Sequence, residues 1–239
     1  MPPQEWDGYD MAFLQSAPPR EPFLHAPPVV LWLIGLLVAI YAGLALAPPS
    51  VADAITLRFA FIPARYVEGG SVFALTIPFL SHMLLHGSVF HLVLNSVWLL
   101  AFGPIVARRY GAVPFLIFFT LCGIAGVATH LAFNWGSQDA VIGASGGISG
   151  LMAAGIRMLR WPNAPPGQRL APLFSRPVLL FTGIWLATNL LFGVTGFGTD
   201  GALQQIAWLA HLGGYFCGLF GIGLMEAWLL HRARPASHG

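Results

Sequence analysis

Six long apolar segments, separated by shorter polar or glycine-rich stretches, make up most of the chain. About 20 apolar residues in a helix are needed to cross the hydrocarbon core of a bilayer. We therefore predict membrane-spanning helices at about residues 28–48, 87–107, 112–133, 146–161, 177–195 and 204–230. The fourth segment is short, and it begins inside the glycine-rich sequence GASGGISG. This pattern predicts an all-α membrane protein with six transmembrane helices.

The first two predicted spans are separated by a long connection, residues 49–86. It contains Pro63, Pro78 and the amphipathic run LRFAFIPARYVEGG, so we predict a partly helical loop in the membrane interface. The predicted domain, residues 28–230, is flanked by a flexible polar tail at 1–27 and a short basic tail at 231–239. The charged, proline-containing tail 1–27 does not have the pattern of a signal peptide, which favours the inner membrane of a prokaryotic cell.

Composition excludes several classes of protein. Of the 239 residues, 56% are hydrophobic and only 8% are charged, a balance that a soluble domain does not need. The formal net charge of +2 is too small and too dispersed to indicate a nucleic-acid partner. Cys122 and Cys217 both lie in apolar segments, so neither a structural disulfide nor a metal-binding cysteine cluster is predicted. We expect a lipid bilayer as the surroundings and no cofactor.

The distribution of arginines predicts the orientation in the membrane. Only Arg58 and Arg65 fall in the connection between the first two spans. The other arginines all fall on the opposite side of the predicted spans, at positions 20, 108, 109, 157, 160, 169, 176, 232 and 234. Because cytoplasmic segments carry the excess of basic residues, both termini are predicted to be cytoplasmic. The loops at 49–86, 134–145 and 196–203 then face outward.

Several polar side chains fall within the apolar segments or at their ends, where each has an energetic cost. They are His82, His86, His91 and Asn95 at the second span, Ser145 at the fourth and His211 in the sixth. From the helical rise, Asn95 and His211 lie roughly 12 Å and 10 Å below the outer ends of their spans. Ser145 reaches a similar depth if the preceding loop dips into the protein, where it would line a cavity.

Each of these features also has a purely structural explanation. The sequence at 143–150 contains two overlapping GxxxG patterns, which are typical of close helix packing. A single buried histidine such as His211 is usually satisfied by a neighbouring carbonyl. His82 and His86 have the i, i+4 spacing of metal ligands, but no HExxH sequence or nearby acid accompanies them, so no metal site is predicted.

The combination of groups is more informative than any one of them. A hydroxyl, a histidine and a His/Asn pair are predicted on three separate helices at one depth. These are the parts that acyl transfer requires, namely a nucleophile, a general base and groups that stabilise an oxyanion. The sequence therefore indicates a site inside the membrane with the groups that acyl transfer requires.

These residues resemble the motifs of the rhomboid family of intramembrane serine proteases. The spacing H-x3-H-x4-H-x3-N is present at 82–95, GASG at 143–146 and AHxxGxxxG at 210–218. The resemblance covers residues 28–230 and implies a six-helix bundle with a long interfacial first loop. It also implies a serine endopeptidase that cuts transmembrane segments of single-pass proteins near the outer face. The alternative is a catalytically silent rhomboid-like protein that binds transmembrane clients.

The resemblance implies roles for individual residues as well. Ser145 matches the family's nucleophile and His211 its general base. His91, Asn95 and the backbone N–H of Ser145 match the groups that form the oxyanion hole. Positions with structural or helix-packing roles are matched by His82, His86, Gly143, Gly146, Gly214 and Gly218. The glycine-rich loop at 196–202 is predicted to be a mobile cap over the site.

Other positions depart from the family pattern. Ile77 and Pro78 stand where many relatives carry a Trp-Arg pair, and Ala107 stands where many carry a glutamate. These changes leave open how the first loop and the inner end of the second span are anchored. Ser149 stands where some relatives have an aromatic ring beneath the histidine. Glu226 lies roughly 22 Å along the helix from His211, so a Ser-His-acid triad is not expected.

Overall fold

The computed structural model describes residues 26–159, 170–195 and 208–232. Long helices make up most of these residues, with a group of short helices after the first. They are α1 Pro28–Leu46, α2 Pro49–Phe59, α3 Arg65–Glu68, α4 Val72–Thr76, α5 Pro78–Ser81, a 3-10 turn His82–Leu84, α6 Val89–Tyr110, α7 Ala112–Phe133, α8 Ser145–Met158, α9 Arg176–Thr195 and α10 Trp208–Arg232. The prediction of an all-α membrane protein is confirmed. The predicted cap at 196–202 and most of both predicted tails lie outside the described residues.

Five of the described helices are long and apolar enough to cross a membrane, namely α1, α6, α7, α9 and α10. The remaining predicted span is occupied by α8, which has 14 residues. At 1.5 Å per residue it is about 21 Å long, less than the thickness of the hydrocarbon core. It therefore begins or ends within the protein rather than at the membrane surface.

The short helix α8 is the centre of the bundle. Eleven of its fourteen residues are buried, and its side chains pack in two apolar clusters with residues of α1, α6, α7, α9 and α10. A helix that neighbours enclose in this way does not have to meet lipid on any face. Its first residue, Ser145, consequently lies inside the protein.

The first loop is anchored by hydrogen bonds that the sequence did not predict. Phe61 and Val141 pair as an isolated antiparallel bridge, with N···O distances of 3.1 Å and 2.8 Å. The Arg65 guanidinium donates to the carbonyls of Ala60, at 3.2 Å, and of Leu57 near the C-terminus of α2. A cation at that end of a helix satisfies free carbonyls and interacts favourably with the dipole. These contacts hold the loop although the Trp-Arg pair is missing.

The C-terminal parts of α6 and α10 are joined by an ion pair. Arg109 donates to Glu226 through Nη2 at 2.7 Å and Nε at 3.2 Å, and the Tyr110 hydroxyl donates to the same carboxylate. The side chain of Glu226 is 10% exposed, and that of Arg109 is 28% exposed. A carboxylate from α10 thus anchors this end of α6, whereas Ala107 of α6 itself offers none.

Candidate active site

Ser145 and His211 face each other across the crossing of α8 and α10. The Oγ atom of Ser145 and the Nε2 atom of His211 are 2.7 Å apart, which is a hydrogen-bond distance. Ser145 is the first residue of α8, and His211 lies in the first turn of α10. The structure therefore brings the predicted nucleophile and the predicted base together. This geometry is the one in which a histidine removes a proton from a serine hydroxyl.

The start of α8 presents backbone donors beside the serine. The first hydrogen bond of the helix runs from the N–H of Ile148 to the carbonyl of Ala144, at 3.0 Å. Helix geometry thus gives the N–H groups of Ser145, Gly146 and Gly147 no acceptor within α8. These donors and the positive end of the helix dipole favour a negative charge at this point.

Gly143 makes the sharp entry into α8 possible. Its φ of +118° is a conformation that residues with a side chain rarely adopt. A Cβ at this position would lie 2.7 Å from Nε2 of His91 and 3.7 Å from Oγ of Ser145. The backbone N–H of Gly143 donates to the carbonyl of His82 at 2.8 Å. The turn is thus fixed from the first loop, and the missing side chain leaves room for His91 next to Ser145.

The predicted oxyanion pair lies on the first turns of α6, beside this turn. His91 and Asn95 are one helical turn apart, and Nδ2 of Asn95 donates to the carbonyl of His91 at 3.1 Å. Asn95 is buried within the bundle. A primary amide has two N–H groups, so this bond leaves a second one that can be donated. The side chains of His91 and Ser145 both lie close to the Cα of Gly143, so these two polar groups are near each other beside the turn.

Glycines permit the close crossing of α8 and α10. A Cβ on Gly214 would overlap the carbonyl oxygen of Gly146, and one on Gly218 would overlap that of Gly150. A Cβ on Gly146 would lie 3.4 Å from the carbonyl oxygen of Ala210, the residue before His211. The contacts recur at a spacing of four residues on both helices, as in small-residue packing of membrane helices. This approach brings Ser145 within reach of His211.

His82 and His86 are both buried in the segment that precedes α6. Nδ1 of His82 is bonded to the carbonyl of Pro78 at 2.8 Å, and burial lowers the pKa of His82 to about 4. The His86 ring meets that of His91 edge-on, with centroids 5.0 Å apart. Within the part of the chain that the structure describes, no three His, Cys, Asp or Glu side chains are grouped as metal ligands.

Asn189 of α9 belongs to the site, although the sequence analysis did not select it. Its Oδ1 atom is 2.8 Å from Nδ1 of His211, and its Nδ2 atom donates to the carbonyl of Trp208 at 3.1 Å. The side chain is 8% exposed. The available signal was a lone amide in the apolar run LATNLLF, since polar groups inside spans are costly. Ser149, the other serine of the glycine-rich stretch, is buried one turn deeper.

The family model of the rhomboid domain matches residues 75–228, a range that includes every side chain of the candidate site. A search of curated proteins finds no match. The matched range extends over more than half of the chain, from the short helices before α6 to the last turns of α10.

Proposed function

Because the chain belongs to the rhomboid family and is an integral membrane protein, we propose that it is an intramembrane serine endopeptidase. Its substrates would be the transmembrane segments of single-pass membrane proteins, cut near the outer face of the membrane. The observation that carries this proposal is the 2.7 Å hydrogen bond between Oγ of Ser145 and Nε2 of His211. In a member of the family without activity, nothing would require these two atoms to meet.

In the proposed reaction, His211 takes the proton of Ser145 while Oγ attacks the carbonyl carbon of the scissile peptide. The carbonyl oxygen becomes an oxyanion, which the N–H groups at the start of α8 stabilise together with His91 and Asn95. Removal of one such donor typically slows acyl transfer by roughly 100-fold to 1000-fold. These groups are held rigidly by helices, so they need little reorganisation when the charge develops.

The tetrahedral intermediate then collapses. The C–N bond breaks as His211 gives its proton to the leaving amine, and the substrate remains as an ester on Ser145. A water molecule, deprotonated by His211, attacks the ester and releases the carboxylic acid. Oγ recovers its proton, and both groups return to their initial state. This sequence needs a serine, a neutral histidine and access of water from the outer face.

The membrane setting limits which peptide bonds are suitable. A transmembrane helix satisfies all its backbone groups internally, and its carbonyls are therefore not presented to Ser145. We expect cleavage where small or helix-breaking residues make local unwinding inexpensive. The arginine distribution supports cytoplasmic termini, so that the outer end of the bundle carries Ser145 and His211.

The proposal is tested by cleavage of a single-pass reporter protein reconstituted with the purified chain in liposomes. Ser145→Ala and His211→Ala should each lower the rate at least about 1000-fold, because nucleophile and base act as a unit. Ser149→Ala, the matched control in the same helix, should retain most of the activity. Cleavage by the Ser145→Ala or His211→Ala protein would contradict the proposal. Reporter binding without any cleavage by the wild type would favour the silent client-binding alternative.

A further inference from the structure

We propose that Asn189 is a positioning residue that holds His211 in the tautomer needed for proton transfer. The inference rests on the proposed function, because it assigns a role within the same reaction. It starts from the two hydrogen bonds of the Asn189 amide, one to Nδ1 of His211 at 2.8 Å and one to the carbonyl of Trp208 at 3.1 Å. The Asn189 amide is bonded to His211 and not to Ser145, so it would act through the imidazole.

The second of these bonds determines which way the amide points. A backbone carbonyl can only accept, so the group that faces Trp208 must be the NH2 of the amide. The amide oxygen therefore faces His211 and can only accept in turn. It follows that Nδ1 of His211 carries the hydrogen. In a neutral imidazole this leaves the lone pair on Nε2, the atom 2.7 Å from Oγ of Ser145.

The polar groups thus form a directed chain. Trp208 accepts from Asn189, Asn189 accepts from Nδ1 of His211, and Nε2 of His211 accepts from the Ser145 hydroxyl. The other tautomer would place an N–H on Nε2, which could not remove the serine proton. A Cys-His-Asn set in papain-like proteases has the same order of groups.

An amide suits this position better than a carboxylate would. The Asn189 side chain is 8% exposed and lies inside a predicted membrane span. An ionised group buried there without a cation would carry a large desolvation penalty. The amide supplies the same acceptor without the charge. It orients the imidazole but stabilises its protonated form less than a carboxylate would.

The face of α9 that carries Asn189 is built to dock on α10. Thr182, Trp185, Asn189 and Gly193 are spaced three, four and four residues apart, so they share one side of the helix. Each of them contacts the first two turns of α10. This repeated contact distinguishes Asn189 from a polar residue that meets a histidine by accident.

The contacts on either side of Asn189 are specific. Below it, Oγ1 of Thr182 is 2.8 Å from the Tyr215 hydroxyl, and Trp185 stacks on the same ring with centroids 4.1 Å apart. Above it, a Cβ on Gly193 would lie 2.6 Å from Cγ of Trp208. The absence of a side chain at Gly193 lets α9 come close enough for the amide to reach Nδ1.

The test compares Asn189→Leu, Asn189→Asp and a control on the same helix, Thr188→Ala, in the liposome cleavage assay. Thr188 is exposed, and its hydroxyl donates to the carbonyl of Ile184 within α9. We expect Asn189→Leu to lower kcat by about 10-fold to 100-fold with KM changed less than about twofold, because the tautomer is no longer selected. The control should retain the wild-type kcat and KM.

The pH profile separates positioning from simple packing. Activity requires neutral His211, so the rate falls as the pH drops through the pKa of that group. Asn189→Asp keeps an acceptor on Nδ1, and its carboxylate, once ionised beside the imidazole, favours the protonated ring, which should move the acid limb of kcat/KM to higher pH. If Asn189 had only a structural role, Asn189→Asp would lower the thermal stability but leave the acid limb of the kcat/KM profile at the same pH. ¹⁵N NMR of the wild type offers a check that needs no variant, and should show Nδ1 of His211 protonated.

The outcomes distinguish this inference from the proposed function. An active Asn189→Leu protein with unchanged kcat, or Nε2 protonated in the wild type, would overturn the positioning role. Ser145→Ala in the same assay would still be inactive in that case, and the proposed function would stand. Cleavage by Ser145→Ala would instead remove the proposed function, whatever Asn189 does.

Discussion

At the scale of residues, the two serines of GASGGISG have different surroundings. Ser145 begins α8 and is bonded to His211, whereas Ser149 lies one turn deeper among buried side chains. The sequence could separate them only through the resemblance to the rhomboid motif. Their environments follow from where α8 begins, and that depends on the turn at Gly143.

Gly143→Ala should impair both stability and cleavage. A backbone held in a conformation that side chains avoid costs on the order of 1–3 kcal/mol, and the added Cβ would also press on His91. We expect a lower unfolding temperature and a loss of kcat that exceeds the change in KM. Circular dichroism during heating and the liposome assay measure the two effects.

Gly183→Ala is the matched control for this change. A Cβ at Gly183, in the middle of α9, would meet nothing within 4 Å. Alanine is favoured over glycine within a helix, so this variant should be at least as stable as the wild type. Equal stability and activity of the Gly143→Ala and Gly183→Ala proteins would contradict the role assigned to the turn.

Asn189 shows what residue patterns alone could not provide. An amide in an apolar run signals only that a partner is needed, and it does not say which one. The partner, His211, is 22 positions away in the chain and meets Asn189 only after α9 and α10 dock. The motifs identified Ser145 and His211 in the sequence. Asn189 could be identified only from the packing of α9 against α10.

At the scale of elements, most helix positions could be predicted because apolar runs of sufficient length have few alternatives. The predicted third span, residues 112–133, coincides with α7, and the first and fifth differ from α1 and α9 by one or two residues at an end. The fourth was placed at 146–161, whereas α8 is Ser145–Met158. Hydropathy does not predict where a buried helix ends. Such a helix is surrounded by other helices, so its length need not match the thickness of the membrane.

The anchors between elements were harder to predict than the elements. Arg65 was counted as a charge on the outer side, yet its guanidinium caps the end of α2. Glu226 was considered only as a distant partner for His211, yet it is bonded to Arg109. Both contacts join segments whose relative placement hydropathy does not specify. The Arg65 contacts anchor the first loop, which lacks the Trp-Arg pair. The Glu226 contacts anchor the end of α6, where Ala107 stands in place of a glutamate.

Glu226→Gln should weaken the junction of α6 and α10. The change removes the charge that Arg109 contacts through two hydrogen bonds, and a partly exposed pair of this kind is worth roughly 1–3 kcal/mol. We expect a lower unfolding temperature with the catalytic rate of the folded protein nearly unchanged. Arg176→Gln, which alters an exposed arginine of α9, is the control and should leave the unfolding temperature unchanged.

At the scale of the whole molecule, the bundle places Ser145 and His211 in its interior by enclosing one short helix. Because α8 is about 21 Å long and surrounded by longer helices, its N-terminus opens inside the protein. α10 supplies His211 from one side, α6 supplies His91 and Asn95, and α9 holds the histidine from behind. Packing and chemistry are therefore coupled, since the glycines that let α8 approach α10 also bring Ser145 to His211.

The most direct test of this account is the position at which a serine-reactive fluorophosphonate attaches to the purified protein. The probe needs no knowledge of the natural substrate, because it reports only a serine that an adjacent base activates. Peptide mapping should locate a single adduct on Ser145, which should be absent from Ser145→Ala, strongly reduced in His211→Ala and retained in Ser149→Ala. An adduct on Ser149, or equal labelling of the wild type and His211→Ala, would contradict the account.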